Sequence, residues 1–126
     1  MTLKKKIEGQ DLALKIADLA EDLKASDVMV MDLRKLSNFS DYFVICSGDS
    51  DTHARAIADH VVDELEAQKI NVLHQEGSDW GLWVLLDYGD VVVHIFEKET
   101  RQYYDLERLW GDADIVRGSF PVEERN

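Results

Sequence analysis

Trp80-Gly81-Leu82-Trp83-Val84-Leu85-Leu86-Asp87-Tyr88-Gly89-Asp90-Val91-Val92-Val93-His94-Ile95-Phe96 reads as two apolar strands joined by a turn at Asp87–Asp90, with Gly89 supplying the positive φ that such a turn needs. Alternate side chains of a strand point to opposite faces. Leu82, Val84 and Leu86 therefore share one side of the first strand, and Trp83, Leu85 and Asp87 the other. In the second strand Val91, Val93 and Ile95 oppose Val92, His94 and Phe96. Neither face is polar enough for water, so both need a cover. Either the chain's own helices bury both faces, or they bury one and leave Trp83 facing a partner. Periodicity does not separate the two.

Outward from the hairpin, Leu12, Ile16, Leu19, Ala20 and Leu23 recur at helical spacing and predict an amphipathic helix over residues 8 to about 24. Val28–Leu33 and Asp41–Cys46 read as two strands in a meander, parted by turn chemistry at Ser37-Asn38-Phe39-Ser40. Ser47-Gly48-Asp49-Ser50 breaks the second strand. Ser50 or Asp51 can cap a helix carrying Ala54, Ile57, Ala58, Val61, Val62 and Leu65 and ending near Lys69. Asn71–Glu76 predicts a short strand, placed parallel to Asp41–Cys46 by a right-handed crossover. Arg101, Tyr104, Leu106, Leu109 and Trp110 predict a C-terminal helix, and residues 111–126 a frayed tail. The sum is an α/β or α+β domain with a mixed five-stranded sheet and flanking helices, in the order α-β-β-α-β-β-β-α.

The length of 126 residues fits one domain with its own core. A lone cysteine excludes an internal disulfide and suits a reducing compartment, and no apolar run is long enough to span a bilayer. The basic cluster Lys4-Lys5-Lys6 runs into an amphipathic segment and not into an apolar signal core, so a cytoplasmic location is expected. A formal charge of −12 opposes sequence-independent binding to a phosphate backbone, and would suit a partner bearing basic groups.

Candidate chemistry is thin. Cys46 sits at a strand end before a helix, where a thiolate can be activated, and His53 is the only base near it in sequence; a buried structural cysteine is the competing reading. His53 and His60 lie two helical turns apart, too far along the axis to share a metal ion, and neither HExxH nor CxxC spacing occurs. Gly48-Asp49-Ser50-Asp51 lacks the phosphate-loop pattern, and its aspartates would repel an anion. As a magnesium pair, Asp49 and Asp51 would need a third carboxylate from Asp32, Asp87 or Asp90.

Taken in order, Ser40-Asp41-Tyr42-Phe43-Val44-Ile45-Cys46-Ser47-Gly48, Ile57-Ala58-Asp59-His60-Val61, Glu76-Gly77, Trp83, Asp87–His94 and Arg101–Trp110 resemble the ribosomal silencing factor, or Iojap, family over about residues 8 to 112. The resemblance implies one domain over 1–112 with residues 113–126 as a tail, and a fold related to nucleotidyltransferases without their catalytic carboxylate set. It implies no cofactor and no enzymatic activity. It further implies binding to the fourteenth protein of the large ribosomal subunit, with limited rRNA contact at most, so that the small subunit cannot join and translation falls when nutrients are scarce. On the matching positions Trp83 is the expected apolar anchor, Glu76, Asp87 and Asp90 its acidic neighbours, and Tyr88, His94 and Arg101 supporting contacts. A magnesium-dependent nucleotidyltransferase-like enzyme and a self-associating homodimer are the competing readings.

Overall fold

A computed structural model describes residues 7–38 and 40–121. Lys4, Lys5 and Lys6 of the basic cluster, Phe39 of the predicted turn and the last residues of the predicted tail (122–126) lie outside the described residues. The elements are α1 (Gly9–Asp22), β1 (Ser26–Asp32), β2 (Tyr42–Gly48), α2 (Asp51–Ala67), β3 (His74–Glu76), β4 (Trp83–Asp87), β5 (Val91–Glu97), α3 (Lys98–Tyr104), α4 (Leu106–Leu109) and β6 (Asp114–Arg117). The strands form one mixed sheet in the order β3-β4-β5-β2-β1-β6.

The predicted class is the observed one, with flanking helices on a mixed sheet, but the sheet has six strands where five are predicted. The sixth, β6, comes from the stretch read as a frayed tail. Its apolar run is only Ile115-Val116, too short to register as a strand in the sequence. Pairing with β1 and two ion pairs from Arg117 to Asp18 and Glu21 of α1 hold it at the edge.

Two further expectations are corrected. The parallel partner of β2 is β5 and not the strand after α2: Tyr42 through Gly48 run in register with Val91 through Glu97. The crossover from β2 therefore takes in α2 and the whole β3–β4 hairpin. Burial explains the choice, since β5 is apolar on both faces and belongs in the sheet centre, whereas β3 shrinks to an exposed edge of His74, Gln75 and Glu76. The predicted C-terminal helix is broken in two at Asp105, whose φ of 49° ends α3 in the left-handed conformation that Asp tolerates better than most residues.

The hairpin and first two helices follow their predictions. Gly89 has φ of 94°, and its N–H donates to the Asp87 carboxylate. Ser50 caps α2 by accepting from the His53 backbone N–H at 3.0 Å. Leu12, Ala13, Ile16, Ala17 and Ala20 of α1 and Ala54, Ile57, Val61 and Leu65 of α2 pack onto one sheet face against Val30, Val44, Cys46, Val84, Leu86, Val91, Val93 and Ile95. This is the main core. The opposite face carries a smaller cluster of Met29, Met31, Leu33, Ile45 and Phe96, covered by Leu106 and Ala113. The α3–α4 segment is too short to roof the whole sheet, and it leaves Leu85 of β4, Val92 of β5 and Phe43 of β2 half-buried.

Candidate functional site

The uncovered end of that second face is built by strand alternation. Cross-strand partners place Glu76, Leu85, His94, Ile45 and Met29 in one row, and His74, Asp87, Val92, Phe43 and Met31 in the next. Trp83 lies opposite Phe96 in a third row. Residues toward β1 are fully buried, but Trp83, Leu85, Asp87, Val92 and Phe43 are only half-buried. The open patch is therefore apolar at its centre, and its outer edge carries the carboxylates of Glu76 and Asp87. Tyr104, 52 % exposed, extends it at one end.

Trp83 is held from several sides. Its ring stacks on Phe96 with centroids 4.8 Å apart, and Tyr104 of α3 leans against it at 5.0 Å. Its Nε1–H donates to His94 Nδ1 at 3.1 Å. His94 lies inside the face, edge-on to Phe43 at 4.5 Å, and Phe43 in turn meets Trp110 at 5.8 Å. The anchor expected from the hairpin is thus half-exposed and pinned by other aromatic groups.

Of the other expected site residues, Glu76 and Asp87 share the patch. Glu76 is exposed and paired with His74 at 3.0 Å, and Asp87 is half-buried. Asp90 does not join them, because its carboxylate accepts the Gly9 N–H at 2.7 Å and so fastens the hairpin turn to the start of α1. Tyr88 packs in the main core beneath the helices. Arg101 is buried too: its Nε donates to Glu107 at 3.1 Å, and its Nη1 to the Asp27 carbonyl at 2.8 Å and Ser47 Oγ at 3.0 Å. That carbonyl is left free of the β1–β2 ladder by a register shift at residues 26–29, where Asp27 has φ of 48°. Arg101 and Tyr88 serve the interior and lie off the patch. Alternation alone put Leu85 on the Trp83 side of its strand and Val92 on the His94 side of the next; Phe43 enters the patch only through the β2–β5 pairing, and Tyr104, 21 positions from Trp83, carried no such signal.

The catalytic candidates separate. Cys46 is fully buried in the main core, and burial pushes its thiol up to about 12, with Arg101 opposing the shift. His53 has both ring nitrogens engaged by backbone, Nδ1 accepting the Asp49 N–H at 2.9 Å and Nε2 lying 2.7 Å from the Leu23 carbonyl. The competing reading of a buried structural cysteine holds. Native protein is expected to resist iodoacetamide at pH 8 for hours and to label fully in urea; rapid labelling of the folded chain would contradict that burial. Asp49 and Asp51 are exposed, and among the described residues no group of three or more His, Cys, Asp or Glu gathers into a possible metal site.

Burial pulls the His94 imidazole down to about 3 from its ordinary 6.5. The folded chain keeps this ring neutral while the unfolded chain protonates it near 6.5, so the unfolded state binds the extra proton between those values. Stability is thereby lost as pH falls from 6.5 toward 3, by up to about 1.4 kcal/mol per pH unit from this residue. Urea unfolding of wild type and His94→Phe at pH 7, 6 and 5 is expected to show the wild type losing more; a pH-independent difference between the two would contradict a neutral buried ring.

Comparison with known proteins meets this geometry. The family model described as ribosomal silencing factor during starvation matches residues 6–126. The ribosomal silencing factor of Bacillus subtilis is 44 % identical over 117 residues, spanning 92 % of this chain and 99 % of that protein. A mouse protein named for mitochondrial assembly of the ribosomal large subunit is 33 % identical over 98 residues, 75 % of this chain and 43 % of its own length. A crystal structure from Chromobacterium violaceum superposes with a TM-score of 0.84 at 32 % identity, covering 95 % of each chain.

Proposed function

The chain belongs to the ribosomal silencing factor family, and from that premise we propose that it binds the large ribosomal subunit in the cytoplasm through that subunit's fourteenth protein and sterically blocks the small subunit, repressing translation under nutrient limitation. The observation that carries this reading is the half-open sheet face on which a pinned Trp83 stands among Leu85, Val92 and Phe43 with Glu76 and Asp87 at its border. Such a surface suits a protein partner with an apolar hollow edged by Lys or Arg, because aromatic anchors dominate binding energy and opposite charges set orientation. The charge of −12 supports the same choice of partner, since it repels rRNA everywhere except where a basic protein surface intervenes. The mechanism is occupancy: two bodies compete for one docking face, and no bond is made or broken.

Subunit-profile sedimentation tests partner and consequence together. Adding the protein to separated subunits is expected to leave large subunits free at the expense of joined ribosomes, with the protein migrating on the large subunit. An unchanged profile with the protein left at the top of the gradient would overturn the reading.

A further inference from the structure

We infer that His94 is a positioning residue for Trp83: by taking up the indole N–H inside the sheet face, it lets Trp83 present a partner with a wholly apolar ring in one fixed orientation. The inference rests on the proposed docking role of this face and adds what the face asks of its partner. Trp83 and His94 are diagonal neighbours, since Trp83 is opposite Phe96 and His94 opposite Leu85, and the indole reaches across the diagonal to put Nε1 at 3.1 Å from Nδ1. An Nδ1 that accepts this bond places the His94 proton on Nε2, which is buried and has no hydrogen-bond partner among the described residues. With Phe96 stacked on the indole, Tyr104 beside it and the N–H satisfied internally, Trp83 keeps little rotamer freedom to lose on binding.

Consequences for the partner follow. An indole normally needs an acceptor for its N–H when it is buried. Here that requirement is met within the chain, so the receiving surface opposite Trp83 needs no polar group and its basic groups belong opposite Glu76 and Asp87. His94 itself, 4 % exposed, works through Trp83 and not by touching the partner.

Two measurements test this. In the free protein, nitrogen-15 NMR is expected to show His94 as the neutral Nε2–H tautomer, with the Trp83 indole N–H exchanging far more slowly than that of Trp80, which is 77 % exposed. An Nδ1–H tautomer or equally fast exchange would overturn the inference without reference to any partner. In titrations with purified large subunits, His94→Leu is expected to weaken binding roughly tenfold by leaving the indole N–H without an acceptor. His94→Asn, whose side-chain oxygen can accept near the Nδ1 position, is expected to restore most of that loss. In a Trp83→Phe background, which has no N–H, His94→Leu is expected to cost nothing further; a full tenfold cost there would mean that His94 acts on the partner directly. The tautomer and His94→Asn results stand even if His94→Leu fails to fold. Wild-type protein that does not bind large subunits would remove the proposed function, and the NMR result would still decide the role of His94.

Discussion

Trp83→Ala is expected to abolish co-sedimentation with large ribosomal subunits while the chain stays folded. Truncating a central aromatic anchor commonly costs at least about 2 kcal/mol, around thirtyfold in affinity, and here the loss removes both the apolar area and the group that Phe96, Tyr104 and His94 hold in place. The fold should survive because Trp83 is half-buried at the open end of the smaller cluster, whereas the main core lies on the other side of the sheet. Circular dichroism and urea unfolding of the variant provide the control. Undiminished co-sedimentation of a folded Trp83→Ala protein would show that the anchor lies elsewhere. Glu76→Lys, on the border of the same patch, is expected to weaken binding less and to do so mainly at low salt, because exposed charges contribute modestly and are screened.

Arg101→Ala is expected to lower stability by about 3–5 kcal/mol, the largest effect of any single substitution considered, because it strands the Glu107 carboxylate in the interior. The guanidinium also serves the Asp27 carbonyl exposed by the β1 register shift and the Ser47 hydroxyl, so its removal leaves several buried polar groups unmet at once. A domain of this size has only about 5–15 kcal/mol in total, so the variant would be marginal at 37 °C. Replacing both partners, as Arg101→Met with Glu107→Met, is expected to recover much of the loss, since no unpaired charge then remains. Urea midpoints of the three proteins decide the matter: an Arg101→Ala chain within about 1 kcal/mol of wild type would mean that Glu107 finds water or another partner. Loss of Arg101 should also loosen α3, and with it Tyr104, giving a secondary loss of binding even where the chain still folds.

These two residues mark the boundary of what could be read before the fold was known. The side of β4 that Trp83 takes was legible because strand alternation is local: it is decided by counting in twos from Val84 and Leu86. Arg101 was not. It was expected among the supporting contacts only through the family resemblance, but its position is decided by Asp27, Ser47 and Glu107, which lie 74, 54 and 6 residues away. Tyr88 and Asp90 lie off the patch for the same reason, one drawn under the helices and the other tied to Gly9. The parallel pairing of β2 with β5 was missed because the crossover rule says how two parallel strands are joined but not which later strand wins the central place.

By itself the amino-acid sequence determined most of the local elements, though not β6 or the break between α3 and α4, together with the two-faced hairpin, the family and the acidic character that disfavours RNA. The elements, the hairpin and the charge depend on periodicity, turn chemistry or composition, which act over a few residues or over the whole chain at once; the family rests on the resemblance of an ordered run of motifs. Only the tertiary structure decided which face is roofed. The α3–α4 cover is short and broken at Asp105; it seals the sheet over Met29, Ile45 and Phe96 and leaves Leu85, Val92 and Phe43 half-open, and that end point depends on packing between segments far apart in the chain.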